Sequence, residues 1–532
     1  MVSDRRNFRS VCAAAVFLGS FVASFAGFNP ESVYQEAPEV AVRYPDPDVH
    51  YMTPAFAPGK QDFTSQDEMM AFLEALAAKA PAMHLEIGGR SQQGRILPVL
   101  LFSRAGQAIG SGAKPVVLII GQQHGNEPAG GEAALALAQR LGTGDLADLL
   151  STIDVIIVPR ANPDGADAFV RELADGTDPN RDHTLLRTPE IQTLGALFNR
   201  FHPQLMLDCH EFTVGGRWIE KVGGLERIDA MIQYATVPNL PPSLQKAESQ
   251  LFLPAILQAF DAHGLTHDWY HTTDGSRRDS PVAMGGIGPD TGRNIAGLRN
   301  AVSFLLETRG VGLGRAHLAR RVETHVVAAE AILRLAAKDP ETFMQLSRQA
   351  AIEASTSDRP VIVVAHAHPE QREMIFVDPK SGADKPVTVS WLSALTIDPV
   401  LVRPRPAGYL VKHDDIQAID AIKRAGLTVQ LASRAAMLPG DHYRVIDAAT
   451  GAKEDGRGDD KGAGAIIKGT YALEKAGIAV APDDIFIPFN QALSGLAVAL
   501  LEPESDAGLV ANRLIPAVKG QLLSISRLDR AP

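Results

Sequence analysis

The sequence predicts an α/β fold whose centre is a mixed, mostly parallel sheet flanked by helices. Four short apolar runs, each ending at polar or turn-forming residues, have the composition of buried strands: residues 116–121, 153–158, 204–208 and 301–306. Segments with helical spacing of apolar residues separate these runs. Because strands that alternate with helices are typical of parallel α/β sheets, we expect ligands to bind outside the carboxyl ends of the strands.

Length and composition describe an ordinary globular protein with several domains. The chain has 532 residues, of which 45% are hydrophobic and 21% charged, and this length suggests two or three domains. The formal net charge is −11 and no long Lys/Arg cluster is present, so a nucleic-acid partner is not expected. We expect four segments, namely a signal peptide (1–26), an irregular lead-in (27–60), a domain built on the sheet (61–350) and a β-rich accessory domain (351–532).

The N-terminus has the pattern of an export signal. Arg5, Arg6 and Arg9 precede an apolar run over residues 11–25, which ends in small residues that offer a cleavage site. The paired arginines favour a twin-arginine signal over an ordinary secretory one. We therefore expect an exported protein, either periplasmic or secreted.

Cysteine content and hydropathy argue against a disulfide bond and a membrane span in the mature chain. Removal of the signal takes away Cys12 and leaves Cys209 as the only cysteine, which excludes an intramolecular disulfide in the mature chain. No other stretch is long and apolar enough to span a bilayer. No obligate protein partner is evident from the sequence.

Local patterns predict the other elements of the first half. In order these are a helix over 67–80, a β-hairpin over 85–103, a helix over 128–141, a turn at 162–165 and a helix over 188–201. The turn has the sequence Asn-Pro-Asp-Gly, whose residue types favour chain reversal. The last helix begins with Thr188 as its cap, followed by Pro189 and the dipole-favoured Glu190.

The second half contains two kinds of structure. Up to residue 350 we expect a loop-rich insertion over 212–240, a helix over 249–263, a Gly-rich rim or lid over 268–297 and an amphipathic helix over 315–338. After residue 351, short alternating segments predict a β-rich, sandwich-like module. One helix at 416–426 interrupts this module, and apolar strands over 480–501 end it.

Four ionisable side chains stand where strands of the predicted sheet end: His124, Glu127, His210 and Glu307. Zinc accepts imidazole nitrogen and carboxylate oxygen, and a catalytic zinc needs three protein ligands with a fourth position open. The pair His124-x-x-Glu127 is by itself a weak signal. A buried carboxylate needs a partner, so the alternative for Glu307 is a salt bridge with Arg309 or another arginine.

In their order along the chain these residues resemble the zinc carboxypeptidase family, the carboxypeptidase A-like metallopeptidases. The family pattern is H-x-x-E, then N-P-D-G, then R…D-x-N-R, then a lone His after a strand and a Glu that ends the last strand. The sequence supplies each part in turn across residues 85–335. The resemblance implies a catalytic domain over residues 61–350 and a zinc-dependent carboxypeptidase exported by a bacterium.

The resemblance also implies the identity of the metal site. One Zn²⁺ would be held by His124, Glu127 and His210, and Glu307 would be the general base that takes a proton from the attacking water. The physical chemistry agrees, because zinc lowers the pKa of water toward about 7 and a nearby carboxylate can pass the proton to the leaving amine.

Four further polar residues gain roles from the resemblance. Arg171 would stabilise the oxyanion, and Asp178 would orient the first histidine ligand. Asn180 and Arg181 would bind the terminal carboxylate of a peptide substrate. Tyr270 is only a loose match for the substrate-capping tyrosine of the family, and the residue that selects the terminal side chain has no clear match.

Three other functions stay open on the sequence alone. An amidohydrolase of the succinylglutamate desuccinylase or aspartoacylase type shares the H-x-x-E motif and a later His, although the N-P-D-G turn and the long C-terminal module fit the peptidases better. A cell-wall peptide hydrolase would suit an exported bacterial enzyme. A binding protein that kept the fold and lost catalysis would not need the complete ligand set and Glu307.

Overall fold

The computed structural model describes residues 27–110, 112–275, 277–455, 458–459 and 464–532. The signal peptide predicted over residues 1–26 lies outside these ranges, so export by either route stays a prediction. Within them, no helix combines the length and the apolar character that a membrane span requires.

A mixed eight-stranded sheet forms the centre of the described chain. The strands up to residue 311 are β1 (Met83–Arg90), β2 (Ile96–Phe102), β3 (Val116–Gly121), β4 (Asp154–Val158), β5 (Leu205–Thr213), β6 (Leu225–Glu226), β7 (Ala230–Tyr234), β8 (His267–Trp269), β9 (His271–Thr273), β10 (Val282–Met284) and β11 (Val302–Val311). The order in the sheet is β1-β2-β4-β3-β5-β11-β7-β8, and β4, β3, β5 and β11 are parallel neighbours. The prediction of a mixed, mostly parallel sheet is confirmed.

Helices cover both faces of this sheet. The helices up to residue 356 are α1 (Pro38–Ala41), α2 (Gln66–Ala77), α3 (Pro128–Thr143), α4 (Pro163–Ala168), α5 (Pro189–Phe201), α6 (Arg217–Val222), α7 (Pro242–Ala247), α8 (Leu253–Ala262), α9 (Gly292–Leu298), α10 (Leu318–Lys338) and α11 (Pro340–Thr356). Residues of α3 and α10 share one core with Val117 and Ile119, whereas α5 shares another with Leu118 and Ile120. Alternate residues of β3 therefore point to opposite layers, as in a strand buried on both faces.

The C-terminal segment is rich in β-structure, as predicted. Its elements are β12 (Val361–Val377), β13 (Asp384–Arg403), β14 (Gly408–Val411), α12 (Ile416–Arg424), β15 (Gln430–Leu431), β16 (Ala436–Ala452), β17 (Glu454–Asp455), β18 (Gly458–Asp459), β19 (Ala465–Val480), β20 (Ile485–Pro488), α13 (Ser494–Leu501) and β21 (Leu522–Leu528). An antiparallel sheet has the order β15-β20-β14-β21-β16-β19. Helices α12 and α13 share an apolar core with it, so the covering layer there is helical, where a sandwich would have a second sheet.

The hairpin of β12 and β13 joins the C-terminal segment to the rest of the molecule. In a sheet ordered β6-β12-β13-β10-β9, β12 pairs with β6 and β13 pairs with β10. The partner strands belong to the insertion that precedes β11. The boundary proposed at residue 350 thus separates strands that share one sheet, and the division into domains stays a prediction.

Three elements differ from their predicted extents. β5 and β11 continue beyond residues 208 and 306, so His210 and Glu307 lie inside strands and not after them. Residues 494–501 form α13, where the apolar pattern predicted a strand. A short run that is apolar throughout has no period by which a buried helix can be distinguished from a buried strand.

Candidate metal centre and substrate cleft

The first two candidate ligands lie on the loop between β3 and α3. His124 Nδ1 lies 2.8 Å from Glu127 Oε1, and the N–H of Glu127 donates to the C=O of His124 at 3.2 Å. Gln122 turns the chain with a φ of 48°, and its side chain donates to the C=O of Gly125. Gly125 packs so closely on Gly165 that any side chain there would overlap that backbone. These contacts fix the loop that presents both candidates.

His210 is brought to the same point by the sheet. β5 lies next to β3, with Cys209 opposite Gly121. His210 Nδ1 lies 2.9 Å from Glu127 Oε2 and 3.0 Å from His124 Nδ1. One ligand atom from each of the three side chains lies within 4.8 Å of the others, and all three residues are buried. We call His124, Glu127 and His210 the metal cluster.

Hydrogen bonds on the far side of each imidazole make the metal cluster fit zinc. Nε2 of His124 lies 3.1 Å from Asp178 Oδ1, and Nε2 of His210 lies 3.0 Å from Asp208 Oδ1. Because an ionised carboxylate only accepts, each Nε2 carries a proton and donates it, and each Nδ1 is left with a lone pair. Two nitrogen lone pairs and a carboxylate then converge on one point, which is the donor set that a zinc ion accepts.

The charges around the metal cluster favour a divalent cation. Burial alone would raise the pKa of Glu127 and Asp178, but the imidazoles lower it for Glu127, and Arg171 with an imidazole lowers it for Asp178. Burial alone would lower the pKa of His210, whereas Asp208 and Glu127 raise it well above its ordinary value. When both imidazoles are neutral, as ligation requires, the three carboxylates face one guanidinium. A divalent cation would cancel the remaining negative charge.

Arg171 lies beside the metal cluster. Its Nη2 donates to Asp178 Oδ2 at 2.8 Å, and its Nη1 lies 3.0 Å from His124 Nδ1 and 3.3 Å from Glu127 Oε1. Although burial opposes the effect, Asp178 and Glu127 raise the pKa of Arg171 above its ordinary value. The guanidinium therefore stays charged, and it lines a cleft next to the cluster.

A 3₁₀ turn, Pro179–Arg181, places two more of the predicted side chains at this cleft. Asn180 Oδ1 accepts the N–H of Gly292 at 2.7 Å, and Arg181 Nη1 donates to the C=O of Asn180 at 2.8 Å. Asp178 accepts the N–H of Asn180 at 2.9 Å and so caps the turn. The structure therefore brings Arg171, Asn180 and Arg181 to the wall of one cleft.

Glu307 stands on β11 directly opposite His210 of β5. Residues in register on neighbouring strands point to the same face of a sheet, and Glu307 lines the cleft while only 8% exposed. The alternative partner considered for it, Arg309, donates instead to Glu36 at 2.5 Å and lies over the ring of Tyr44. The structure thus places Glu307 among the predicted site residues.

The cleft has a volume of about 1080 Å³. One part of its wall is the segment predicted as a rim over 268–297, which contributes Tyr270, the loose candidate for a capping tyrosine. Another part comes from the C-terminal segment, through β12 at 362–367 and residues within 495–507. No local pattern in the sequence indicated this second contribution.

Two residues at the site were missed by the sequence analysis. Asp208 lies behind His210 and was assigned only as a strand residue, although its position two residues before His210 on one strand face was a usable signal. Arg293, in the first turn of α9, also lines the cleft. Its guanidinium packs against the rim backbone at Gly285 and Gly286, a contact that no pattern in the sequence indicated.

Several known proteins are similar to this chain. A family model described as zinc carboxypeptidase matches residues 69–205. The chain is 32% identical over 428 residues to "Probable carboxypeptidase 2" from Arthroderma benhamiae, across 76% of this chain and 80% of that protein. It is 29% identical to carboxypeptidase 2 from Trichophyton rubrum, across 98% of this chain and 99% of that protein. A crystal structure of a metallo-carboxypeptidase from Burkholderia cenocepacia aligns with a TM-score of 0.39 and 20% identity, across 51% of this chain and 69% of that one.

Proposed function

The chain belongs to the zinc carboxypeptidase family, and from that premise we propose that it is a zinc-dependent metallocarboxypeptidase that releases the C-terminal residue of a peptide. The observation that carries the proposal is the metal cluster, where two imidazoles and a carboxylate converge beside a cleft that Glu307 also lines. The amidohydrolase alternative has less support, because the relatives described above are named as carboxypeptidases.

The metal cluster supplies the proposed zinc ligands. Zinc held by His124 Nδ1, His210 Nδ1 and the Glu127 carboxylate would polarise the scissile carbonyl and lower the pKa of water toward about 7. Asp178 and Asp208 accept from the opposite nitrogen of each imidazole. They would thereby hold both rings in the orientation and tautomer that ligation needs.

Glu307 is the proposed general base. It would take a proton from the attacking water and deliver it to the nitrogen of the leaving amine, which are the two proton transfers that peptide hydrolysis requires. Its register with His210 keeps it next to the metal cluster, of which it is not a member. A carboxylate that does not ligate the metal can change its protonation state during the reaction.

Two arginines would stabilise the negative charges of the substrate, one on the carbonyl oxygen and one on the terminal carboxylate. Arg171 would stabilise the charge that develops on the carbonyl oxygen, because its guanidinium stays ionised beside the metal cluster. Arg181 and Asn180 would bind the terminal carboxylate, since a planar guanidinium and an amide N–H₂ both donate to carboxylate oxygens. The proposed substrate is therefore a peptide with a free C-terminus.

Cellular location and the natural peptide are further proposals. The pattern over residues 1–26 supports export, with the paired arginines favouring the twin-arginine route. An exported bacterial enzyme would meet cell-wall peptides as well as protein fragments. The C-terminal segment, residues 351–532, would shape substrate binding, because it contributes part of the cleft wall.

Zinc analysis combined with a matched pair of peptides tests the proposal. The purified enzyme should contain one zinc per chain and should cleave a peptide with a free C-terminus, while the same peptide with an amidated C-terminus should not turn over. Arg181→Met should raise KM for the free peptide, whereas Arg200→Met, an exposed residue paired with Glu86, should not. Equal cleavage of both peptides would contradict the roles of Asn180 and Arg181. A purified protein that contains no zinc and cleaves neither peptide would contradict the proposed carboxypeptidase function.

A further inference from the structure

One buried cation in the cleft, Arg293, has no salt-bridge partner among the residues that the structure describes. Arg293 is only 3% exposed and lines the cleft beside Tyr270. Its Nη2 donates to the C=O of Gly286 at 2.7 Å, while its Nε has no hydrogen-bond partner. A β-carbon at Gly285 would lie 2.7 Å from Nη2 and 2.9 Å from Nη1. Only glycine at that position therefore lets the guanidinium lie against the rim backbone.

Among the described residues, the other buried arginines either have a carboxylate partner or donate a hydrogen bond from each guanidinium nitrogen. Arg309, Arg321 and Arg403 each form a salt bridge with a buried glutamate, at 2.5 to 2.6 Å. Arg160 has no carboxylate partner, but it donates to three oxygen acceptors of other residues. Among the described residues, no carboxylate lies within salt-bridge distance of Arg293. Its burial is reflected in a pKa lowered to about 10.

The surroundings of Arg293 place it next to the proposed site for the terminal carboxylate. Gly292, the preceding residue, donates its N–H to Asn180 Oδ1 at 2.7 Å. The charge of Arg181 acts on Arg293 and opposes its protonation, whereas the charge of Glu307 favours it. A terminal residue whose α-carboxylate is held by Asn180 and Arg181 would therefore have its side chain within reach of Arg293.

We propose that Arg293 selects the side chain of the C-terminal residue and that the preferred substrates end in glutamate or aspartate. This inference rests on the proposed function and names its substrate class. An unpaired, desolvated guanidinium is costly to keep in a protein interior. A side-chain carboxylate supplies the missing charge and can accept two parallel N–H donors from it.

Two peptides that differ only in their last residue, Glu or Gln, test the proposal most directly. They have the same length, shape and α-carboxylate, so only the side-chain charge differs. The wild-type enzyme should show kcat/KM at least about tenfold higher for the Glu peptide, the effect of a charge-assisted hydrogen bond over a neutral one. A ratio at or below unity would overturn the proposal.

Three variants test whether Arg293 is the residue that causes the preference for a C-terminal Glu over Gln. Arg293→Met should bring the Glu-to-Gln ratio close to unity, and Arg293→Lys should keep it above unity because the charge is retained. Arg299→Met is the matched control, since Arg299 is partly buried directly after the same helix but donates to Asn199 and to the C=O of Ala425. The ratio is measured on one enzyme sample, so partial misfolding of a variant cancels. Equal losses for both peptides in Arg293→Met would overturn the proposal, because Arg293 would then serve a feature that the peptides share.

A binding measurement separates this inference from the proposed function. Calorimetry of zinc-loaded Glu307→Gln with the same two peptides reports affinity without turnover. Tighter binding of the Glu peptide, lost in the double variant that also carries Arg293→Met, would support the inference even if no peptide were cleaved by the wild type. Absence of cleavage would refute the carboxypeptidase function, whereas equal affinities would refute the role of Arg293.

Discussion

Two buried clusters of charge in this protein are built on opposite plans. In the C-terminal segment, the fully buried Glu502 is surrounded by donors: Arg403 and Arg527 as cations, and Tyr409 and Tyr443 through their hydroxyl groups. We call these five residues the C-terminal charge cluster. In the metal cluster, by contrast, acceptor atoms face one another, with the Nδ1 atoms of the two imidazoles only 3.0 Å apart.

The difference shows which cluster is complete without a ligand. A buried carboxylate is tolerated when the chain supplies the opposing charge and the hydrogen bonds, and Glu502 has both. The metal cluster has a carboxylate and two imidazole lone pairs around one point, and its supporting groups are two more carboxylates, Asp178 and Asp208. The first arrangement stabilises the fold, and the second is suited to bind a cation from solution.

The largest effect that separates the two clusters is expected when Glu307, the proposed base beside the metal cluster, is replaced. Glu307→Gln should lower kcat by about 10²- to 10⁴-fold, the usual contribution of a general base, while zinc content and the urea midpoint stay at the wild-type values. Steady-state kinetics, metal analysis and urea denaturation measure these three quantities. A nearly unaffected kcat would refute the role of Glu307.

The corresponding experiment for the C-terminal charge cluster removes the charge of Glu502. Glu502→Gln leaves Arg527 buried without its carboxylate and leaves Arg403 with Glu504 alone, so the free energy of unfolding should fall by about 3–5 kcal/mol. Activity per folded molecule and zinc content should not change.

An exposed pair provides the control for that variant. Glu474 pairs with Arg444 at the surface, and Glu474→Gln should change the free energy of unfolding by no more than about 1 kcal/mol. Similar effects of both substitutions in urea denaturation would show that Glu502 has no special role in stability.

Arg171 tests the electrostatic part of the site. Arg171→Met should lower kcat by about 10²- to 10³-fold, as expected for the loss of a donor to a developing oxyanion, with little change in KM. Arg200→Met serves as the control because Arg200 is exposed, pairs with Glu86 and is not among the residues that line the cleft. A change in KM alone would indicate that Arg171 only binds substrate.

The smallest effect is expected for Asp208, the carboxylate that accepts a hydrogen bond from the imidazole of His210. Asp208→Asn should weaken zinc binding by about 10- to 100-fold, because the amide no longer holds the proton of His210 Nε2 as firmly. Competition with a chelator measures this affinity. Asp398→Asn is the control, since Asp398 contacts the exposed His368 away from the metal cluster, and it should leave zinc affinity unchanged. An unchanged affinity in Asp208→Asn would remove Asp208 from the site.

Local sequence patterns were sufficient to predict that His124, Glu127, His210 and Glu307 lie together at one edge of the sheet. β3 is recognisable because six consecutive residues are apolar, and the loop with His124 and Glu127 follows it directly. Parallel neighbours bring strand ends together, so His210 and Glu307 could be assigned to the same place. Arg171, Asp178, Asn180 and Arg181 needed the family resemblance, because no local rule distinguishes them from other surface residues.

The rest of the site depends on contacts between distant segments. The cleft wall from β12 and residues 495–507 arises from pairing of β12 and β13 with strands of the insertion, which no periodicity reveals. The isolation of Arg293 is likewise a tertiary property. The residues 494–501 were misassigned as strand because a short, fully apolar segment carries no period by which a helix can be recognised.

Metal content at equilibrium tests the central claim, that the metal cluster requires a divalent cation from solution in addition to the guanidinium of Arg171. Wild-type protein and His271→Ala, which removes a buried imidazole paired with Glu226 outside the cluster, should each retain one zinc per chain after dialysis against trace zinc. His210→Ala should retain almost none while it stays folded. Retention of one zinc by folded His210→Ala would contradict the account.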